Sequence, residues 1–427
     1  MNYIESVDIY RFWGDKTVHI EFSKTENFIV GVNGSGKTTI INLIVAALKL
    51  DFQILDAIEF EKIIIKLKSF GKARFKPVIE IIKEQVDYSL FTNLALKIKY
   101  SAKDEPIEFS LNELEEEKFI RRRRLSQKYI ETIVSKKDNV FGIIKELSSI
   151  SWLSINRFNN KSGSESYEPS VDRKLDELSN KFIRYFSALQ SKVNEETELF
   201  QKQIFLSLLS DETEGFFRAN DSIDSIVEMQ SIKDIFSEFN VPEKQYIKKL
   251  EKHFVNYEHA LNQIKNKQGL NFNHAAALIS TNRIHKIVQQ WSALELRKRE
   301  IFRSRDLFLD IVNSLFQRKK LIFSKNNDFI VKTQSNKEFS LKKLSSGEKQ
   351  LIIILGEALL QNSTPHVYIA DEPELSLHVA WQEKLVKSIR EINSNAQIIF
   401  ATHSPDIVGE FSDSIIYVED CIKNIPL

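Results

Sequence analysis

The sequence has a single cysteine, Cys421. One thiol excludes an intramolecular disulfide and any multi-cysteine zinc site, and it fits a reducing compartment. Glycine and proline are scarce as well, at 12 and 8 residues, fewer turn-formers than an all-β sandwich or barrel uses. No apolar run approaches the roughly 18 residues that span a bilayer. Met1 to Asp8 carry acid and no apolar core, so a secretory signal is not expected. Net charge is close to nil: 60 Lys and Arg against 59 Asp and Glu leave +1. That removes a whole-protein attraction to nucleic acid or anionic membrane, without excluding a local patch. Hydrophobic residues at 42% and charged residues at 28% are enough for a buried core. The expectation is a cytoplasmic protein without membrane contact. At 427 residues it would have two domains, or one domain with a large insertion.

Residues 3–30 alternate as strands do, with a turn at Gly14-Asp15-Lys16. Phe28-Ile29-Val30 reads as a buried strand, and Ile40 to Leu48 as a buried helix. Residues 55–145 mix strand-like and helix-like stretches without a clear order. Ser151 to Ile155 reads as a further strand. Residues 159–170, rich in Asn, Ser, Gly and Glu, form the best linker. Beyond it Val171, Leu175, Leu178, Phe182, Tyr185 and Leu189 recur with a period of 3.5, the seam of a helix with a partner helix. That seam fades at Lys192 and Glu196. Charged, helix-like sequence runs to about residue 320, and strands return at 321–323, 329–331, 366–370 and 397–401.

The fragment Gly31-Val32-Asn33-Gly34-Ser35-Gly36-Lys37-Thr38 has the form G-x-x-x-x-G-K-[ST], between a predicted strand and a predicted helix. Glycines let successive backbone N–H groups turn inward onto phosphate, and the helix N-terminus adds partial positive charge. Asn33 to Thr39 are the candidate phosphate contacts. Lys37 would compensate the β- and γ-phosphates, and Thr38 would offer its hydroxyl to Mg2+. Far along the chain, His366 to Ala370 reads as a strand ending in Asp371 and Glu372. Asp371 is the candidate metal-side carboxylate, and Glu372 the candidate base that polarises a water for in-line attack. His403, after the apolar run 398–401, sits where a strand end faces a ligand crevice. Leu344 to Gln350 precede a helix expected to begin near Leu351. Ser345, Ser346, Gly347 and Glu348 would form a second anion-ready helix start. One nucleotide does not need two such cradles in one chain, so a nucleotide shared between two copies is expected.

Together these motifs resemble the ABC-type ATPases, in particular the soluble RecF/SMC/OLD-like branch, over residues 3–50 and 320–420. Residues 31–38 resemble Walker A, 344–350 the signature, 367–372 Walker B with its catalytic glutamate, and Glu374 to His378 the D-loop. His403 resembles the switch histidine. Ser346 and Glu348 depart from the commoner LSGGQ form. The resemblance implies an α/β fold, an ABC-ATPase head with a mixed sheet and helices, assembled from N- and C-terminal lobes. These would be residues 1–158 and 321–427, around a mainly helical insertion at 159–320 that could form a short coiled-coil hairpin. It also implies ATP and Mg2+ as cofactors, with Glu372 and His403 catalytic and Thr38 and Asp371 at the metal. Two heads would sandwich ATP, with Ser345 and Gly347 touching the partner's γ-phosphate. Asn156-Arg157 and Arg11 are further candidates near the nucleotide.

The span between Walker A and the signature leaves no room for a long SMC arm, and too few residues follow His403 for the Toprim domain of OLD nucleases. What remains resembles the stand-alone ATPase subunits of bacterial anti-phage defence, of the Septu and PARIS kinds. There a separate effector such as a nuclease does the damage. The alternative is a RecF-like DNA-repair ATPase, and a transporter subunit is a third reading. Arg121 to Arg124 read either as a solvated charged helix or as a contact for a polyanion, nucleic acid or a phage protein.

Overall fold

The computed structural model describes residues 1–72, 75–84, 93–101, 104–110, 140–154, 170–208, 224–324 and 328–425. Ile155, Asn156-Arg157, Arg121 to Arg124 and most of the 159–170 linker lie outside the described residues. The fold class is α/β: strands from both ends of the sequence share sheets, and a mainly helical segment lies between them. The chain divides into two compact units, one of residues 1–183 with 304–427, the other of residues 184–303.

In the first unit, strands β1 (Asn2–Phe12), β2 (Lys16–Glu21), β4 (Lys62–Ser69), β5 (Val78–Glu84), β6 (Asn93–Lys99), β7 (Ile107–Ser110) and β15 (Ile422–Asn424) form an antiparallel sheet in the order β15-β2-β1-β4-β5-β6-β7. Its strands are half-buried and alternate accordingly. Ile63, Ile65 and Leu67 of β4 and Leu94, Leu96 and Ile98 of β6 face the core, while Lys62, Lys66 and Lys97 face out. This gives the order of the described strands between residues 62 and 110, part of the range 55–145 that the mixed pattern left open.

A second sheet is parallel, in the order β14-β3-β13-β12-β8, from β14 (Ile415–Tyr417), β3 (Glu26–Val30), β13 (Ala396–Ala401), β12 (His366–Asp371) and β8 (Ile150–Ser154). All six residues of β13 are buried, as are the four central ones of β12. Continuous apolar runs are what a parallel sheet covered on both faces requires. Helix α1 (Lys37–Lys49) touches β12 and β13 and carries Ile40, Ile41, Leu43 and Ile44 into the same core as the first sheet. Gln397 of β13 ties the sheets together. Its side chain accepts from Ile4 N at 2.8 Å and donates to Ile4 O at 2.8 Å and Ser23 O at 2.7 Å. A three-stranded sheet, β11 (Glu338–Ser340), β10 (Phe329–Thr333) and β9 (Lys319–Phe323), leads into the later motifs.

After a short α2 (Phe52–Ala57), the long helix α3 (Ser170–Leu208) follows. Its seam does not end at Lys192. Leu175, Leu178, Phe182, Phe186, Leu189, Val193 and Phe200 are all buried. The burial passes from Tyr185 to Phe186 because a 3.6-residue helix drifts across a strict 3.5 pattern. The second unit also contains α4 (Ser225–Glu238), α5 (Glu243–Lys265) and most of α6 (Phe272–Leu315). Its core is Leu250, Phe254, Tyr257, Ala277, Leu278 and Val288, with a further cluster of Phe200, Trp291 and Leu294.

Candidate functional site

In the parallel sheet, β3, β13 and β12 are consecutive neighbours that run the same way, so their C-terminal ends open on one edge. Ligands of open α/β sheets bind in the crevice at that edge. The loop 31–36 leaves β3 there, Thr402-His403 leave β13, and Asp371-Glu372 end β12.

The loop adopts the backbone the glycine motif requires. Gly34 and Gly36 have φ of 82° and 100°, values open to glycine and strained for other residues. Gly36 stands at the N-cap of α1 with no side-chain cap, so the first N–H groups of a buried helix face the loop. Ser35 Oγ is shielded from solvent with no hydrogen-bond partner. An open helix N-terminus beside an orphaned hydroxyl suits an anion with several acceptor oxygens. Lys37 is buried, and its Nζ donates to Gly31 O at 2.9 Å and Val32 O at 3.0 Å. Burial pulls its ammonium below the ordinary lysine value, against the opposing charges of Glu419, Glu372 and Asp371.

Thr38 Oγ1 donates to Asp371 Oδ1 across 3.3 Å, joining residues 333 positions apart. Burial raises the Asp371 carboxyl to about 6, with Glu372 and Glu374 adding to the rise and Thr38 and Lys37 opposing it. A hydroxyl and a crowded carboxylate set together fit Mg2+, which takes one or two protein oxygens and leaves the rest of its shell to water and phosphate. When bound, such an ion would neutralise charge on the β- and γ-phosphates. Glu372 lies just past the strand with φ 49°, and its N–H donates to Ala401 O at 2.8 Å. A left-handed glutamate is an uncommon conformation, and such outliers cluster at functional sites. The His403 side chain is exposed, while its N–H is held by Glu374 Oε1 at 2.8 Å.

The segment read as the signature departs from expectation. Helix α7 begins at Ser346 and runs to Leu359, so Ser346, Gly347 and Glu348 form its first turn instead of preceding it. The reason is a capping box. Ser345 Oγ accepts from Glu348 N, while Glu348 Oε2 accepts from Ser345 N at 3.0 Å and from Ser345 Oγ at 2.8 Å. Lys319 holds the same carboxylate at 2.7 Å. Burial alone would raise Glu348, but the Lys319 and Ser345 hydrogen bonds outweigh it and leave it below the usual glutamate range. This helix start therefore already carries an acid of its own chain. Gly347 packs on the D-loop: a Cβ there would lie 2.3 Å from Ser376 O.

A family model described as "AAA domain, putative AbiEii toxin, Type IV TA system" matches residues 139–409, more than half of the chain. The chain belongs to this AAA-domain family. Over 79 residues, 18% of this chain, it is 34% identical to a "Putative ABC transporter ATP-binding protein" of Clostridium acetobutylicum, and it spans 27% of that relative's length. Among solved structures, the Smc head domain with an extended coiled coil bound to the C-terminal domain of ScpA, from Pyrococcus furiosus, is 16% identical. Its TM-score is 0.38, covering 100% of this chain and 96% of that one. The SMC head domain from Thermotoga maritima is 11% identical with a TM-score of 0.36, covering 99% and 98%. Scores this low do not by themselves establish a common fold.

In this chain Lys37, Thr38, Asp371, Glu372 and His403 gather at one sheet edge, whereas Arg11 forms an exposed ion pair with Glu61 at 3.1 Å. Two residues escaped the sequence reading, and a third was read only as the start of the D-loop. Trp13 reaches within 3.0 Å of where a Cβ on Gly36 would stand. Glu419, on the short helix Val418–Cys421 between β14 and β15, accepts from Val32 N at 2.8 Å. Glu374 accepts from Thr402 Oγ1 and His403 N at the end of β13. Trp13 stands just past β1, well before the glycine motif in sequence, and like Glu419 it gave no local signal.

Proposed function

We propose that this AAA domain binds and hydrolyses ATP with Mg2+, and that ATP-dependent pairing of two heads gates a separate effector in bacterial anti-phage defence. The observation that carries the nucleotide reading is the contact between Thr38 and Asp371 beside an uncapped helix N-terminus. It joins the hydroxyl and the carboxylate that a Mg2+–triphosphate site calls for. In this reading Asn33 to Thr39 wrap the phosphates, Thr38 and Asp371 hold the metal, Glu372 orients the attacking water and His403 meets the γ-phosphate. Ser345, Ser346, Gly347 and Glu348 would face the nucleotide of the partner head. For Ser345 to reach a phosphate, its hydroxyl must exchange Glu348 for the ligand. The family description, a "putative AbiEii toxin" of a type IV toxin–antitoxin system, is in keeping with a defence role. The effector, a nuclease for example, would be a separate chain, and the trigger a nucleic acid or a phage protein.

Binding of a fluorescent ATP analogue tests the site. Lys37→Ala should abolish it, because backbone N–H groups alone leave the phosphate charge poorly compensated; normal affinity in that variant sinks the assignment. Glu372→Gln should bind ATP, turn over at least about 100-fold more slowly and accumulate a dimer by mass photometry. Phage plating on cells that carry the gene with its neighbours, with and without Lys37→Ala, tests the defence role. Equal plating on these two strains and on cells that lack the genes removes it.

A further inference from the structure

Glu374 lies two residues beyond Glu372, in the turn between β12 and helix α8 (Val379–Ile392). Its Oε1 accepts two hydrogen bonds from the end of β13, from Thr402 Oγ1 at 2.8 Å and from His403 N at 2.8 Å. One carboxyl oxygen thus takes both donors. Oε2 is shielded from solvent and has no hydrogen-bond partner. A carboxylate oxygen shielded from water and left idle is costly, and native structures keep such groups for a reason. Here every bond the carboxylate makes goes to the segment that carries His403.

A second residue ties the same two pieces. Gln382 donates to Leu377 O at 2.9 Å and Glu374 O at 3.4 Å, and accepts from Ser404 Oγ at 2.6 Å. Thr402 is wholly buried, and its Oγ1 also accepts from Ser404 N at 3.0 Å. The backbone on either side of His403 is therefore held, while its imidazole stays exposed at the ligand edge. The left-handed φ of Glu372 and Ser376, 49° and 66°, brackets Glu374 in a turn of defined shape. The turn that presents Asp371 and Glu372 thus also sets the place of His403.

We propose that Glu374 is the positioning residue for His403, holding the switch backbone so that the imidazole meets the γ-phosphate in the same geometry at every turnover. This rests on the reading of the site as an ATPase. It predicts an effect on kcat that passes through His403 and leaves ATP affinity alone, since Glu374 touches no part of the phosphate loop.

The test is a double-mutant cycle on the full-length chain, with kcat and KM for ATP and the affinity of a fluorescent ATP analogue measured for each protein. Glu374→Ala is expected to lower kcat by about 10-fold or more with affinity within about 2-fold of wild type. Glu374→Gln is expected to stay within about 3-fold, because its amide oxygen accepts the same two bonds. In a His403→Ala background, Glu374→Ala is expected to cost less than about 2-fold. Hydrogen exchange of the His403 amide should speed up in Glu374→Ala and not in Glu374→Gln. If Glu374→Ala fails to fold, Glu374→Met, which keeps the volume and removes the acceptor, carries the same comparisons. A full cost of Glu374→Ala in the His403→Ala background overturns the proposal, as does wild-type kcat in either single alanine variant. A wild-type chain that binds no ATP, or a Lys37→Ala chain that binds it normally, sinks the ATPase reading itself.

Discussion

Gly347 offers the sharpest perturbation. It is the second residue of α7, and a Cβ there would stand 2.3 Å from the carbonyl oxygen of Ser376 and 3.7 Å from Trp381 Cζ3. Carbon atoms do not approach closer than about 3.0 Å in such contacts, so helix start and D-loop must part by at least about 0.7 Å in Gly347→Ala. The obstacle is backbone, not the end of a flexible side chain. Relief therefore means moving the turn that begins at Asp371, or the capping box of Ser345 and Glu348. Overpacking of this kind costs about 1–3 kcal/mol. Urea unfolding should show it as a lower midpoint with an unchanged slope. Because Glu372 lies four residues before Ser376, ATP turnover should fall as well, while affinity at the phosphate loop holds. Gly142→Ala is the control: nothing lies within 4 Å of its Cβ position, and it should be neutral or stabilising by up to about 1 kcal/mol. A Gly347→Ala protein with wild-type midpoint and turnover would falsify the contact between signature helix and D-loop.

Two further outcomes follow from charges. Burial pushes His366 down to about 4, with Glu357 and the Ile150 backbone partly opposing, and its Nε2 lies 3.0 Å from Ser151 Oγ. The unfolded chain takes up that proton near 6.5 and the folded chain only near 4. Stability from this group is thus complete above 6.5 and drains away as pH falls toward 4, by about 3 kcal/mol in all. In His366→Gln this component should vanish from the difference between urea midpoints at pH 7.5 and 4.5; the same difference in both proteins refutes it. At the phosphate loop, Glu419→Gln keeps an acceptor for Val32 N–H and removes a negative charge facing Lys37. ATP affinity should rise about 2- to 5-fold at low salt and by less as salt screens the charge. Unchanged or weaker binding at every ionic strength overturns that expectation.

Local signals made much of this protein legible from its residues. The run Phe28 to Val30, the glycine spacing of 31–38 and the apolar helix after it sit in one window, so strand, loop and helix could be read together. The strand ending at Asp371 was legible as a short apolar run followed by acid. The start of α7 was legible too: Ser345 with Glu348 three residues on is a capping-box pattern, and weighing it would have placed the helix at Ser346. Helix α3 shows the limit of periodicity, since its seam passes from Tyr185 to Phe186 and continues to Phe200.

What the sequence determined by itself is therefore the set of parts: a glycine-rich loop between strand and helix, a carboxylate-tipped strand, a histidine just past an apolar strand and a long amphipathic helix. Each depends on residues within a few positions of one another. Only the tertiary structure decided that β3, β13 and β12 lie side by side, which sets Thr38 against Asp371 and gives Glu374 its hold on His403. It alone brought Glu419 to Val32, 387 residues away. The physical reason is that strand pairing and long-range hydrogen bonds depend on which surfaces meet, and no window of neighbouring residues encodes that choice.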